Sequence, residues 1–369
     1  MIAAGATATA PRPGTTGGEA KIRVAICDDS LVIRGALARM LEAEPDFTVA
    51  ARVADGAQAV ATMRRLAATT PVDVLILDIE MPVLDGMAAL PQLLEADPGL
   101  RVIMASTLTT RGAEIALRAL RLGAADYVPK PSTAMIADDS FRRELVAKIR
   151  GLVRLRRAGT KAAPAAPAAP VVLRPGPARP PRLLAIGSST GGPQALFTLV
   201  PALGKALSVP VVLTQHMPAT FTPILAEHLG RLGGMPCAEA RDGETLRPGH
   251  IHLAPGDRHL LIQRDGATLR ARLSTDPPVN FCRPAVDPML LSAASACEGR
   301  VLVVMLTGMG HDGRDGTNAV IAAGGAAIAQ DEASSVVWGM PGAIAQARLC
   351  HAVLPLARIA PKVLEMIGR

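Results

Sequence analysis

Ser189 lies in a setting that suits nucleophilic chemistry. It belongs to the stretch Gly-Ser-Ser-Thr-Gly-Gly at 187–192, which follows a short apolar run and precedes a proline. The apolar run predicts a buried strand, and the proline is typical of the first turn of a helix. A hydroxyl on such a turn is exposed at a sheet edge, where the helix offers free N–H groups to an anion. A serine nucleophile beside an oxyanion hole needs this arrangement, and a phosphate-binding glycine loop shows the same pattern.

A base and an acid for this serine follow two later apolar runs. His216 ends one run and Asp312 ends the other, within Gly-Met-Gly-His-Asp-Gly. An imidazole accepts and returns a proton near neutral pH, and a buried carboxylate fixes its tautomer. We therefore predict a Ser189–His216–Asp312 triad. His311 is a rival base, but its position beside Asp312 favours a surface role.

The serine loop also matches G-x-S-x-G, the nucleophile motif of α/β-hydrolases. That family places the acid before the histidine in the chain, whereas here the histidine comes first. The order of the residues therefore disfavours an ordinary α/β-hydrolase.

A second group of polar residues lies in the first half of the chain. Asp28 and Asp29 follow the first predicted strand, while Asp78, Ser106 and Lys130 follow the third, fourth and fifth. Three converging carboxylates with one lysine would bind a hard divalent cation, and magnesium suits such a site.

Alternating strands and helices position both groups. Strands are predicted at 22–27, 47–53, 72–77, 102–105 and 126–128, with helices at 31–41, 56–66, 86–94, 112–122 and 141–155. In the second half, strands at 183–186, 209–213 and 301–306 precede the three loops of the candidate triad, and 251–254 with 259–262 resemble an antiparallel hairpin. This alternation predicts an α/β protein with two doubly wound parallel sheets, whose sites lie at the carboxyl ends of the strands.

The composition divides the chain into two domains and a spacer. We predict a disordered tail at 1–20, a first domain at 21–150, a linker at 151–182 and a second domain at 183–369. The linker is rich in alanine, proline and arginine and contains an Ala/Pro repeat, which cannot build a core and is typical of a semi-rigid spacer. The two domains are thus expected to be separate units whose docking can change.

Charge and composition exclude several classes of protein. The chain has 369 residues and a net charge of +7, but aromatic residues make up only 2%, so we expect no nucleic-acid partner. Neither an apolar run of about 18 residues nor a signal peptide is evident, so no membrane insertion is predicted. The five cysteines form no C-x-x-C pair, which favours a reduced cytoplasmic protein without a zinc site.

The first half resembles a response-regulator receiver domain, which has a flavodoxin-like fold. The strings that carry the resemblance are Asp28-Asp29, Asp78 with Met-Pro-Val-Leu-Asp-Gly at 81–86, Ser106 and Lys130-Pro131. The resemblance implies that Asp78 accepts a phosphoryl group from a chemotaxis histidine kinase. It implies an Mg²⁺ site made by Asp28, Asp29, Asp78 and the backbone carbonyl of Glu80. Ser106, Lys130 and the aromatic switch residue Tyr127 would respond to the new charge.

The second half resembles the CheB-type methylesterase domain, which is Rossmann-like. The matching strings include Ile-Gly-Ser-Ser-Thr-Gly-Gly at 186–192, Gln-His-Met-Pro at 215–218, Leu-Thr-Gly-Met-Gly-His-Asp-Gly at 306–313 and Arg-Pro-Ala-Val-Asp at 283–287. The resemblance implies that Ser189 is the nucleophile, His216 the base and Asp312 its orienting acid. It implies that the backbone N–H groups of Thr190 and Met309 form the oxyanion hole.

Together the two resemblances imply a phosphorylation-activated esterase of chemotaxis adaptation. It would hydrolyse glutamate methyl esters on methyl-accepting receptors, release methanol and deamidate selected receptor glutamines. We expect a monomer with no cofactor in the catalytic domain. One alternative is a phosphorylation-controlled adaptor without significant esterase activity. A DNA-binding response regulator is disfavoured, since no helix-turn-helix pattern with a basic recognition helix follows the linker.

Overall fold

A computed structural model describes residues 21–130, 139–160, 173–177, 179–204 and 207–368. The predicted tail at 1–20, Pro131 and the Ala/Pro repeat lie outside the described residues.

The first half contains a parallel sheet, as predicted. Within residues 21–130 its five strands are β1 (Ile22–Cys27), β2 (Phe47–Val53), β3 (Val74–Asp78), β4 (Arg101–Ser106) and β5 (Asp126–Pro129), in the order β2-β1-β3-β4-β5. All neighbouring strands run parallel. Every residue of β3 is buried, because helices cover both faces of such a sheet.

Helices connect these strands, and short polar residues begin four of them. The helices are α1 (Leu31–Glu42), α2 (Gly56–Ala67), α3 (Gly86–Ala96), α4 (Thr110–Arg121) and α5 (Asp139–Thr160). The side chains of Ser30, Asp55, Asp85 and Thr109 accept hydrogen bonds from the first turns of α1 to α4. These caps satisfy N–H groups that the helices leave unpaired, so the local sequence fixes where each helix begins.

The second half is built on another parallel sheet. Among the described residues its strands are β6 (Leu183–Ser188), β7 (Val211–Gln215), β8 (Cys237–Glu239), β9 (Ile251–Leu253), β12 (Val301–Met305), β13 (Ala326–Gln330) and β14 (Ala352–Leu354), in the order β14-β13-β12-β6-β7-β9-β8. The strand β6 therefore lies between β12 and β7. This order brings the loops after these three strands to one edge of the sheet.

The predicted hairpin is present, but the predicted pairing of its strands is wrong. The hairpin joins β10 (His259–Asp265) to β11 (Thr268–Ser274), whereas β9 runs parallel to β7 and β8 in the main sheet. All three residues of β9 are buried, which suits a strand covered on both faces. The two-residue turn Gly266-Ala267, with Gly266 at a φ of 57°, joins β10 to β11, and glycine at the first position of such a turn is a typical hairpin signal.

The second half also contains six helices within residues 179–204 and 207–368. They are α6 (Gly192–Leu203), α7 (Thr222–Arg231), α8 (Val286–Ala296), α9 (Arg314–Ala322), α10 (Met340–Gln346) and α11 (Leu356–Ile367). None of the helices in the described ranges combines the length and apolar character that crossing a membrane requires.

The helix α5 joins the two halves. It continues ten residues past the predicted end of the first domain, and Leu152 and Val153 on it are buried. Gly151 packs so closely on the backbone carbonyl of Val336 that a Cβ atom at residue 151 would overlap it. Arg154 donates hydrogen bonds to Glu332 at 2.9 Å and to the carbonyl of Ser335 at 2.8 Å. The first residues of the predicted linker thus form a helix that contacts the second half.

Candidate active site

Ser189 directly follows the strand β6 and so lies at the edge of the second sheet. The Ser189 N–H donates to the carbonyl of Thr307, and the side-chain amide of Gln215 donates to the Ser189 carbonyl at 2.9 Å. Gly191 then takes a φ of 73°, a left-handed conformation that favours glycine, and α6 begins. The loop is therefore held by the strands on both sides, with its serine half-buried.

His216 and Asp312 form a close pair beside this loop. The His216 Nε2 atom lies 2.7 Å from Asp312 Oδ2, and the His216 N–H donates to the carbonyl of Ser188 at 3.0 Å. The predicted base and acid thus meet at the ends of β7 and β12. His311, the rival base, is exposed.

The Asp312 carboxylate also caps the N-terminus of α8. Its oxygens accept hydrogen bonds from the N–H groups of Val286, at 2.6 Å, and Asp287, at 3.1 Å. Burial disfavours the charged carboxylate, but the hydrogen bonds from His216 and these N–H groups outweigh burial and hold the pKa of Asp312 below its usual range. A helix N-terminus stabilises an anion, so Asp312 stays ionised beside the imidazole.

A neighbouring amide completes the shell around Asp312. Asn280 Nδ2 donates to Asp312 Oδ1 and to Asp287 Oδ2, at 3.2 Å each. Burial and the nearby Asp312 charge raise the pKa of Asp287. Asn280 therefore bridges two carboxylates that would otherwise repel each other.

The second nitrogen of His216 faces a cysteine that the sequence did not single out. The His216 Nδ1 atom lies 3.4 Å from Cys282 Sγ. Because Asp312 accepts from the Nε2–H group, the Nδ1 lone pair is the basic position of this imidazole. Nothing in the spacing of the cysteines marks Cys282, and its only sequence signal is its place just before the 283–287 motif.

The Ser189 hydroxyl and the N–H groups predicted to form the oxyanion hole have no hydrogen-bond partner among the described residues. Within the described part of the chain, Ser189 Oγ forms no hydrogen bond with the imidazole, whose Nδ1 atom faces Cys282. Among the same residues, no hydrogen bond uses the backbone N–H of Thr190 or Met309. Catalytic hydrogen bonds are often long or poorly aligned until substrate binds, so this geometry is compatible with the predicted triad.

The pKa of His216 provides a test of this arrangement. Burial lowers this pKa, but the hydrogen bonds to Asp312 and Cys282 outweigh burial and raise it above the ordinary 6.5. Only the neutral imidazole accepts a proton, so we expect the acid limb of the kcat/KM profile above pH 6.5. Asp312→Asn removes the charge that favours the imidazolium and should lower the pKa of His216 by about two units.

NMR titration of the His216 Cε1 proton measures this shift without any turnover. Asp315→Asn is the matched control, because Asp315 is exposed and pairs with Arg314 at 2.9 Å. An unchanged titration in Asp312→Asn would show that the carboxylate does not control the imidazole.

The predicted acidic cluster forms at the edge of the first sheet. Lys130 Nζ lies 2.6 Å from Asp78, 3.7 Å from Asp29 and 3.9 Å from Asp28. One oxygen from each of the three carboxylates lies within 4.8 Å of the others. Burial raises the pKa of Asp78 to about 6, against the opposing effect of Lys130. Asp29 and Glu80 line an adjoining cavity of about 390 Å³.

Among the described residues, the side chains of two other predicted residues of this half form no hydrogen bond with the acidic cluster, although the Lys130 N–H donates to the Ser106 carbonyl at 2.6 Å. Ser106 Oγ donates to the carbonyl of Gly112 at 2.7 Å, at the start of α4. The Tyr127 ring stacks on Phe221 of the second half, with centroids 4.8 Å apart. The aromatic residue predicted as a switch thus lies between the halves.

Further contacts join the receiver-like half to the serine loop. The Gly191 N–H donates to Asp126 Oδ2 at 3.2 Å, and Asp126 is also paired with the buried Lys148. The side-chain amide of Gln194 donates to the carbonyls of Leu120 and Ala124 at 2.7 and 2.6 Å. A carboxylate of the first half is therefore bound two residues from Ser189.

Two domain-family models match this chain. The response regulator receiver domain matches residues 24–137, and CheB methylesterase matches residues 184–363.

Curated proteins resemble the chain over nearly its whole length. A protein-glutamate methylesterase/protein-glutamine glutaminase 1 of Paramagnetospirillum magneticum is 51% identical, covering 97% of this chain and 98% of its own. A protein-glutamate methylesterase/protein-glutamine glutaminase of Azospirillum brasilense is 52% identical, covering 96% of this chain and 95% of its own. A solved structure, the CheB methylesterase catalytic domain of Thermotoga maritima, is 39% identical, with a TM-score of 0.49, and covers 50% of this chain and 98% of that chain.

Proposed function

Since this chain belongs to the CheB family, whose members join a receiver domain to a methylesterase domain, we propose that it is a phosphorylation-activated protein-glutamate methylesterase. Its substrates are glutamate methyl esters on methyl-accepting chemotaxis receptors, and it also deamidates selected receptor glutamines. The observation that carries this proposal is the close His216–Asp312 pair, 2.7 Å apart, beside the Ser189 loop.

Ser189 is the proposed nucleophile of a two-step hydrolysis. As its Oγ atom attacks the ester carbonyl carbon, the hydroxyl proton passes to Nδ1 of His216, since Nε2 is held by Asp312. The N–H groups of Thr190 and Met309 stabilise the oxyanion. His216 then returns the proton to the leaving methoxide, and methanol departs from the acyl-enzyme.

Water completes the reaction. His216 removes its proton as the water oxygen attacks the acyl carbon, and the Ser189 oxygen leaves with that proton. The product is a glutamate carboxylate. A glutamine amide gives the same acyl-enzyme with ammonia as the leaving group, which accounts for the proposed deamidation.

The receiver half is proposed to regulate the esterase activity. Asp78 is the proposed phosphoryl acceptor, and a chemotaxis histidine kinase is the donor. Asp28, Asp29, Asp78 and the Glu80 carbonyl would hold Mg²⁺, because three carboxylates converge there and the single charge of Lys130 offsets only part of theirs. The cation neutralises charge during phosphoryl transfer when it is bound.

Receiver docking provides the proposed inhibition. Asp126 binds the N–H of Gly191, and Tyr127 packs on Phe221, so the unphosphorylated receiver lies against the serine loop. Phosphorylation of Asp78 would shift the population toward an undocked, active state. We further propose that the enzyme is a cytoplasmic monomer that binds no nucleic acid.

Mg²⁺ binding tests the acidic cluster directly. We expect Asp78→Asn to weaken Mg²⁺ about tenfold, because one buried negative charge is removed from the ligand set. Isothermal titration calorimetry measures the affinity, and Asp139→Asn, an exposed carboxylate on α5, is the control. Equal affinities for wild type and Asp78→Asn would contradict the assigned ligands.

Methanol release from a methylated receptor fragment tests the function itself. Release should rise when a small-molecule phosphodonor and Mg²⁺ are added. No release under any condition from folded protein would favour the alternative, a phosphorylation-controlled adaptor.

A further inference from the structure

An irregular arm between β11 and α8 contacts both residues of the proposed acid–base pair. This arm, residues 275–284, carries Asn280, which binds Asp312, and Cys282, which lies against His216. Between them the chain reverses in a tight turn, in which Val279 and Cys282 exchange backbone hydrogen bonds of 3.1 and 2.9 Å. The tip of the arm is therefore fixed beside the catalytic side chains.

The tip displays an aromatic residue in a costly conformation. Phe281 is fully exposed, at 103%, and its φ is 64°. Its turn partner Asn280 has a φ of 51°, which asparagine tolerates well. A bulky aromatic residue at positive φ is a genuine outlier, and glycine or asparagine would form the same turn at lower cost. Such backbone strain clusters at functional sites. The strain at Phe281 therefore indicates that its ring binds another molecule.

The arm is braced, so its tip is held ready for binding. Arg283 Nη1 donates to the carbonyls of Thr275 and Asp276 at 3.0 and 3.2 Å. His259 accepts from the Ala285 N–H at Nδ1, so its Nε2 carries the proton and donates to the carbonyl of Pro277 at 3.1 Å. A binding residue on a rigid support loses little entropy when its partner docks.

We propose that Phe281 is a substrate-recognition residue that packs on an apolar side chain of the receptor segment carrying the methyl-esterified glutamate. This inference rests on the proposed function. The occupant follows from position, because the residues flanking Phe281 touch His216 and Asp312, and the ester must reach Ser189 beside that pair. Exposed aromatic side chains commonly act as anchors in protein interfaces.

Phe281→Asn separates recognition from folding, because asparagine accepts the positive φ of this turn. With the full-length chain, phosphodonor and Mg²⁺, we expect KM for the methylated receptor fragment to rise about tenfold, the effect of losing one anchor. The Tm should stay equal or rise. The loss in kcat/KM should be at least about fivefold larger for the receptor fragment than for N-acetylglutamate γ-methyl ester, which lacks flanking residues.

Leu291→Asn is the matched control. Leu291 is also exposed, at 49%, but lies on the regular helix α8. It should change neither KM nor Tm beyond the small effect of a surface substitution.

A binding measurement tests the inference without any turnover. In a Ser189→Ala background, Phe281→Asn should weaken binding of the receptor fragment about tenfold by calorimetry. Equal binding, or an equal loss on both esters, would overturn the recognition role, the latter by showing that Phe281 only supports the active site. Wild-type protein that binds the fragment but releases no methanol would instead refute the proposed esterase function.

Discussion

Ser189→Ala is expected to lower kcat for methanol release about 10⁶-fold, the loss seen when a triad nucleophile or base is removed. The reason is that Ser189 is half-buried, whereas the only other hydroxyl on the loop between β6 and α6, that of Thr190, is buried. His216→Ala should cost about as much, because the serine is a poor nucleophile without its base. The two losses should not add, since the residues act as a unit.

The structure defines the control for that experiment. Cys282 faces Nδ1 of His216, the atom proposed to accept the Ser189 proton, so its thiol is a rival nucleophile. If Ser189→Ala retained activity that a thiol-alkylating reagent abolished, Cys282 would be the nucleophile. Thr198→Ala changes an exposed hydroxyl on α6 and should leave kcat unaltered.

Gly151→Ala is expected to raise methanol release by the unphosphorylated protein about tenfold or more, within the range of ordinary allosteric coupling. The added methyl group would overlap the Val336 carbonyl and so force α5 away from the second half. Alanine favours a helix more than glycine does, so α5 itself should remain intact. The phosphodonor should then stimulate the variant less, because part of the undocking has already occurred.

Gly35→Ala is the matched control, because a Cβ atom there would meet only Arg39 at 3.7 Å. Gln194→Ala supplies an independent variant, since it removes two hydrogen bonds to α4 and the turn after it. Basal activity that stayed low in a variant shown by small-angle scattering to be undocked would refute the inhibition model.

The sheet edges could be predicted from the sequence because parallel strands end together. Asp78 and Ser106 end β3 and β4 as expected, and Ser189, His216 and Asp312 follow the adjacent strands β6, β7 and β12. Apolar runs show where such strands end, and the order of motifs along the chain then identifies the groups that meet.

The parts that escaped prediction lack periodicity or depend on distant contacts. The arm at 275–284 has no regular pattern, so neither Asn280 nor Cys282 could be placed beside the base and acid. The choice of β11 over β9 as the hairpin partner depended on which strand the main sheet buries. The contact of Gly151 with Val336 joins residues far apart in the chain, which no local pattern reveals.

The short strand β5 couples the serine loop of the second half to the acidic cluster of the first half. Asp126 at its start binds the serine loop, and Lys130 just after its end binds Asp78, about 13 Å along an extended chain. Thermodynamic linkage is reciprocal, so if the phosphoryl group weakens docking, docking must weaken the phosphorylated state by the same factor. The esterase half is thereby an effector of its own receiver, and a receiver freed from it would accumulate more phosphoryl group from the same donor.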